Sequence, residues 1–325
     1  MAPRFAAATS VAVLTLALAA CAGGPAPGSD AGTTTRAGAP SVQFVNPLPK
    51  YPSWRKVGDC MKKQAETTGI DFVETGPTGA LDPTKMIQQV QQGIASKKNA
   101  IITFPASQAF GPVLQQAQKA GIATATLYGS EDPASGADVN VGVDWTALGE
   151  QYVQAIAQRP GEQNVGLIAA ADTGVGKSWL DGMKAAAAKT SNVKIVGEVY
   201  TGDDAAKALP QASALLTAHP EVNVITTHMG TTTPGAIAAI QEKGATGKIA
   251  FLAIGPDNGG KEGLVNGTVW RVVMQDLCGL ATSALDGVVK QIGKPAPGPA
   301  VPFIPAATAM ATADDLQGYL NKGWG

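Results

Sequence analysis

Short apolar runs alternate with amphipathic segments along the chain from Ser41 onward. Runs that are apolar almost without interruption are typical of strands buried on both faces of a parallel sheet. In the first half of the chain this pattern predicts strands at Ser41–Val45, Ile70–Val73, Ala100–Phe104, Ala123–Leu127 and Val139–Val143.

The segments between these strands carry apolar residues at helical spacing. A helix predicted over Pro83–Ser96 places its apolar residues on one stripe, and a second helix does the same from Phe110 to Ala117. Gly121 follows the second helix as a stop signal, and a strand begins directly after it. Strands that alternate with helices in this way indicate parallel sheet pairing.

The same alternation repeats in the second half of the chain. It predicts strands at Asn164–Ile168, Val193–Val199, Val222–Thr227, Lys248–Ile254 and Thr268–Met274, with helices at Trp179–Lys189, Ala205–Ala218, Pro234–Lys243 and Leu277–Ile292. We therefore expect an α/β fold with two doubly wound parallel-sheet lobes joined by a hinge. The proline-rich run Pro295–Pro305 suggests that the chain recrosses between the lobes. The N-terminal lobe is predicted to comprise 41–143 and 276–300, and the C-terminal lobe 144–275 and 301–325.

The start of the chain has the order of a secretory signal peptide. A basic residue, Arg4, precedes a short apolar run that ends in Leu18-Ala19-Ala20-Cys21, which resembles a bacterial lipobox. Residues 21–40 are rich in Gly, Pro, Ala, Ser and Thr, the composition of a flexible tether. We expect a lipoprotein signal peptide over 1–20 and a lipid on Cys21; an ordinary secreted protein is the alternative.

Charge and cysteine content restrict the remaining possibilities. The net charge is −1 without a basic block, which argues against a nucleic-acid partner. No later apolar stretch is long enough to span a bilayer. With Cys21 assigned to lipid, Cys60 and Cys278 form an even pair in an exported protein, so we predict a disulfide, with two buried thiols as the alternative. Two isolated histidines do not make a metal site.

Catalytic motifs are missing from the chain. Gly174-Val175-Gly176-Lys177-Ser178 approaches a phosphate-binding loop, but Ala171 stands where that loop needs its first glycine. Neither a nucleophile elbow nor paired catalytic carboxylates nor metal-spaced ligands occur, so no cofactor is expected. Lys177 is still of interest because loops that follow strands line the clefts of α/β folds, although a solvated lysine is the alternative.

Aromatic residues are scarce, and several lie beside predicted strand ends. Trp54, Tyr128 and Trp145 occupy such positions, as do the polar residues Asp257 and Gln275. Aromatic rings that cover C–H faces, together with a few buried donors and acceptors, are suited to polyols. Ordinary packing is the alternative for each residue taken singly.

Four stretches together resemble one family, the ribose-type periplasmic binding proteins, which are the type I solute receptors of ABC importers. They are Leu215–Val222, Lys119–Ile122, Gly255–Asp257 and Asn266–Val269, the last followed by Gln275. The resemblance runs from about Ser41 to the C-terminus. It implies two lobes that close on a solute, with no bond made or broken.

The resemblance also assigns ligand residues. It places Asp257 and Gln275 on the ligands of sugar hydroxyls and Trp54 on a stacking aromatic. The motif around Trp54 reads Tyr51-Pro52-Ser53-Trp54 where the family has Asn-Pro-aromatic-aromatic, and we expect Tyr51 to be a ligand residue as well.

Three further positions depart from the family pattern. Lys177 falls where a sugar-binding Arg is common, and His228 or Met229 stands near a ligand Asn or Gln. Tyr128-Gly129 replaces the Asp-Arg pair that grips ring hydroxyls in sugar binders, which argues against ribose or a common hexopyranose.

We therefore expect a monomeric, extracytoplasmic lipoprotein anchored to the outer face of the cytoplasmic membrane through Cys21 alone. It would capture a small sugar or polyol, such as an alditol or a pentose, and deliver it to the permease of an ABC importer. A sensory receptor for a kinase or chemoreceptor, and an exported enzyme, are the alternatives.

Overall fold

A computed structural model describes residues 38–128, 136–202, 204–295 and 303–325. The predicted signal peptide, Cys21, nearly all of the predicted tether and Gly129 lie outside the described residues. The first half of the described chain contains β1 (Ser41–Val45), α1 (Pro52–Thr68), β2 (Asp71–Thr75), α2 (Pro83–Ala95), β3 (Ala100–Thr103), α3 (Phe110–Lys119), β4 (Ala123–Leu127) and β5 (Val139–Gly142).

The second half continues the alternation of helices and strands. It contains α4 (Trp145–Ala157), β6 (Gln163–Ala169), α5 (Gly174–Ala187), β7 (Val193–Tyr200), α6 (Ala208–Ala218), β8 (Val224–Thr227), α7 (Thr233–Glu242), β9 (Ala250–Ile254), α8 (Gly260–Asn266) and β10 (Arg271–Gln275). The chain then forms α9 (Leu277–Gln291), β11 (Phe303–Pro305), β12 (Thr308–Ala311) and α10 (Leu316–Asn321).

Two sheets form the two lobes, which confirms the predicted α/β class. The first has the strand order β11-β5-β4-β3-β1-β2 with parallel pairing throughout. The second has the order β12-β10-β9-β8-β6-β7, in which only β12 runs antiparallel to its neighbour. Helices cover both faces of each sheet, so strands such as β3 and β9 are buried along their whole length.

One predicted lobe boundary is wrong. The sequence analysis assigned 301–325 to the C-terminal lobe, but β11 pairs with β5 in the first sheet, with Phe303 opposite Asn140. The chain therefore returns to the second lobe after Pro305. The sequence pattern does not indicate this strand because it lies in a proline-rich run. Proline is tolerated there because an edge strand leaves half of its amide groups without a hydrogen-bond partner in the sheet.

The predicted disulfide between Cys60 and Cys278 is present and joins α1 to α9, with 5.2 Å between the two Cα atoms. Both helices belong to the first lobe, and both begin next to residues that line the cleft described below. The bridge therefore ties the middle of α1 to the start of α9. Among the described residues, no helix combines the length and the apolar character that crossing a bilayer requires.

Replacing both Cys60 and Cys278 with alanine should lower the free energy of unfolding by about 2–5 kcal/mol, because the bridge closes a loop of 218 residues in the unfolded chain. Chemical denaturation followed by tryptophan fluorescence measures the difference. A reductant should lower the midpoint of the wild type to that of the variant and leave the variant unchanged. Equal midpoints for the oxidised wild type and the variant would contradict this role.

Candidate binding site

A cavity of about 250 Å³ lies between the carboxyl ends of the two sheets. This is where α/β sheets place their ligand sites, because the loops that follow the strands converge there. The lining residues come from the starts of α1, α4 and α9, the ends of β4, β9 and β10, the loops after β8 and β9, and Gly325. They are Tyr51, Ser53, Trp54, Val57, Tyr128, Trp145, His228, Gly230, Ile254, Gly255, Asp257, Asn258, Gln275, Leu277 and Gly325.

The cavity brings together most of the side chains that the sequence predicted as ligand residues. Six of them line it: Tyr51, Trp54, Tyr128, His228, Asp257 and Gln275. Lys177 does not. Its ammonium group lies 2.7 Å from the Asp181 carboxylate one turn further along α5, and 58% of its side chain is exposed. A lysine paired in this way on a helix surface is the solvated alternative that the sequence left open.

The first lobe contributes an aromatic wall. The rings of Trp54 and Tyr128 meet edge to face with their centroids 5.7 Å apart, and the centroid of the Phe104 ring lies 5.6 Å from that of Trp54. The buried Asn46 at the end of β1 fixes the start of α1, because its amide donates to the Trp54 carbonyl over 3.0 Å. Trp54 is therefore held at its backbone as well as at its ring.

Two lining residues adopt a left-handed backbone conformation, which residues other than glycine rarely adopt. Tyr128 has a φ of 58° directly after β4, and Asn258 has a φ of 56° in the loop after β9. Such residues persist only where the surroundings enforce them, and they occur often at binding sites. At Asn258 the cost is small because asparagine tolerates this region, whereas the bulky Tyr128 is the more unusual case.

The second lobe contributes a cluster of three rings. His228 follows β8 and lies between Trp145 and Trp179, with ring centroids 5.8 Å and 5.1 Å away. Neither imidazole nitrogen has a hydrogen-bond partner among the described residues. Burial among these rings lowers the pKa of His228 to about 4, so the imidazole is neutral at physiological pH.

Direct hydrogen bonds join the two lobes across the cavity. The Ser53 hydroxyl donates to the Asp257 carboxylate over 2.5 Å, and the Asn258 amide donates to the Tyr51 hydroxyl over 3.0 Å. Burial, with a smaller contribution from the negative Asp257, raises the pKa of the Tyr51 phenol. The start of α1 is thus closed against the loop after β9.

A further contact lies at the hinge, where β10 ends and α9 begins. The Tyr128 hydroxyl donates to the Gln275 side-chain oxygen over 2.8 Å, and burial raises the pKa of that phenol. The backbone of Gln275 also exchanges two hydrogen bonds with Gly325, at 2.7 and 2.9 Å. Gln275 therefore touches the first lobe through its side chain and the last described segment through its backbone.

Two residues that line the cavity and join the lobes, Asn258 and Ser53, are not among the ligand residues predicted from the sequence. A signal for Asn258 exists: it stands in Gly255-Pro256-Asp257-Asn258-Gly259-Gly260, a glycine-rich loop directly after a buried strand. Ser53 carries no such signal, because its importance comes from the opposite lobe. Among the described residues, no group of three or more His, Cys, Asp or Glu side chains is arranged to hold a metal ion.

A family model described as periplasmic binding protein domain matches residues 42–295. No curated protein matches the chain.

Solved structures share the fold at low sequence identity. A periplasmic ribose ABC transporter protein from Conexibacter woesei is 21% identical with a TM-score of 0.76, over 87% of this chain and 95% of that one. An ABC transporter solute-binding protein from Actinobacillus succinogenes with bound D-allose is 22% identical with a TM-score of 0.72, over 86% and 100%. An arabinose-binding protein from Geobacillus stearothermophilus is 16% identical with a TM-score of 0.78, over 86% and 99%.

The neutral His228 makes the stability of the fold depend on pH. In the unfolded chain the His228 imidazole is protonated below its ordinary pKa of 6.5, whereas in the folded protein it is protonated only below about pH 4. Stability is therefore lost as the pH falls through this window, by about 2 kcal/mol between pH 7 and pH 5. Thermal unfolding midpoints at the two pH values should show a larger loss for the wild type than for His228→Gln.

The matched control is His219→Gln, which removes the other histidine of the chain, a partly exposed residue beside Glu221. It should keep the pH response of the wild type. An unchanged response in His228→Gln would show that the imidazole is not held neutral by its surroundings.

Proposed function

Because this chain belongs to the periplasmic binding protein family, we propose that it is an extracytoplasmic solute-binding protein that captures a small sugar or polyol between its two lobes and delivers it to the permease of an ABC importer. Its role is binding and not catalysis, as in the rest of the family. The names of the structural neighbours support the solute class, since they include proteins of ribose and arabinose and one with bound D-allose.

The observation that carries the proposal is the cavity between the lobes, with aromatic walls and hydrogen-bonding groups from both lobes. Trp54 covers the C–H face of the solute, and Tyr128 forms a second wall. Asp257 accepts from hydroxyl groups, and Gln275 joins the solute to the hinge. The volume of about 250 Å³ is below the range of drug-sized pockets, which favours a small solute.

Closure makes the bound state recognisable. A solute that touches both lobes binds the closed form better than the open form, and therefore shifts the equilibrium toward closure. A permease that docks on both lobes would then distinguish the loaded protein from the empty one. We further propose that a lipid on Cys21 holds the protein at the outer face of the cytoplasmic membrane, with the rest of 21–40 as a tether.

A thermal-shift screen against sugars and alditols tests the proposed solute class. A ligand at about one hundred times its dissociation constant should stabilise the folded protein by about 2.7 kcal/mol, a shift of a few degrees. A protein that responds to no sugar or alditol would contradict the class. Asp257→Ala should weaken the binding of any hit by about 2 kcal/mol, or roughly thirty-fold, because hydrogen bonds to a charged acceptor are lost.

The control is Lys177→Ala. This variant removes a side chain that the family resemblance assigned to the ligand but that does not line the cavity, so it should keep the affinity of the wild type. Isothermal titration calorimetry measures both variants, with circular dichroism as the check on folding. Undiminished affinity in Asp257→Ala would remove Asp257 from the site.

A further inference from the structure

The charge of the cavity comes from one side chain. Asp257 has the only acidic side chain among the described lining residues, and no lysine or arginine is among them. His228 does not compensate the charge, because its pKa of about 4 leaves the ring neutral. The walls of the closed site therefore carry a net negative charge at physiological pH.

Within the described residues, Asp257 has a hydroxyl partner and no cationic one. Ser53 donates to one of its oxygens, and no lysine, arginine or histidine nitrogen lies within 4 Å of either. The residue is partly buried between the lobes. A carboxylate withdrawn from water without a cation is costly, and a ligand that brings a positive charge offsets this cost.

The rings around Asp257 favour the same kind of ligand. Tyr51, Trp54, Tyr128 and Trp145 line the cavity from both lobes. Aromatic faces attract cations, and protein sites for ammonium groups combine several rings with limited access of water. Four rings and one uncompensated carboxylate in a cavity of about 250 Å³ form such a combination.

We infer that the cavity selects a small polyhydroxylated solute that carries a protonated amino group, an amino alditol or amino sugar, over its neutral counterpart, and that it rejects the corresponding sugar acid. This inference rests on the proposed function and names the solute class more closely. The ammonium group lies at Asp257 among the rings. The hydroxyl groups meet the Gln275 amide nitrogen and the Asn258 side-chain oxygen, which have no partner among the described residues.

Two matched trios of ligands test the inference by isothermal titration calorimetry at pH 6, where the amines are protonated. The linear trio is D-glucitol, D-glucamine and D-gluconate, which differ at C1; the cyclic trio is D-glucose, 6-amino-6-deoxy-D-glucose and D-glucuronate, which differ at C6. Within a trio the skeleton stays constant while the charge at one carbon changes. In at least one trio the amine should bind about ten-fold or more tightly than the neutral compound, which corresponds to about 1.4 kcal/mol, and the acid should not bind.

The source of the preference is tested with Asp257→Asn, which keeps the size of the side chain and its ability to accept from Ser53. This variant should reduce the amine-to-neutral ratio of affinities to about one. Asp181→Asn is the matched control: it removes one carboxylate from an exposed position on α5 outside the cavity, and should keep the ratio of the wild type.

Three outcomes would overturn the inference. Equal or weaker binding of the amine leaves the proposed function standing and removes the charge preference. A preference that survives in Asp257→Asn shows that this carboxylate is not its source. Failure of all six compounds to bind, with folding confirmed by circular dichroism, overturns the inference. It counts against the proposed function as well when the thermal-shift screen of sugars and alditols is also silent.

Discussion

The hydrogen bond from the Ser53 hydroxyl to the Asp257 carboxylate is the contact on which the site depends. The two residues are far apart in the sequence and belong to different lobes, and they meet because each follows the carboxyl end of a strand in its own parallel sheet. With this contact made, the start of α1 closes over the loop after β9 and the aromatic rings enclose a cavity. The same carboxylate thus holds the lobes together and gives the cavity its charge.

The two lobes can meet in a defined geometry only if the start of α1 is itself fixed. Two devices hold it inside the first lobe: the buried Asn46 donates to the Trp54 carbonyl, and the disulfide ties Cys60 of α1 to Cys278 of α9. Since α9 begins directly after the hinge residue Gln275, the bridge couples the aromatic wall to the hinge. Side chains on helices held in this way keep their geometry better than side chains on free loops, which is what selection among similar solutes requires.

Much of this arrangement could be predicted from the sequence because it depends on local pattern. Continuous apolar runs mark the buried strands, and the rule that sites lie beyond strand ends brings Tyr128, Asp257 and Gln275 into one place. Lys177 obeys the same rule and still lies outside, because a helical pair with Asp181 one turn away satisfies its charge. The sequence does not predict β11, because its three residues lie in a proline-rich run without periodicity and only their pairing with β5 makes them a strand. In both failures an interaction partner decides the outcome. The partner of β11 is the distant strand β5, and the partner of Lys177 is Asp181, one turn away on the same helix.

Closure and charge also act on each other. In the open form that the proposed function requires, Asp257 would face water, which screens its charge; in the structure it lies between the lobes, accepts from Ser53 and lines the cavity together with the rings. Closing without a ligand would therefore remove the Asp257 carboxylate from water and leave it with one hydrogen bond from a hydroxyl group. Closing on a solute with suitable donors would replace the hydrogen bonds that water had donated to the carboxylate. Under the proposed function, the energetic difference between these two cases determines how strongly a bound solute drives closure. Asp257 would then both recognise the solute and control the conformation that a transport partner recognises.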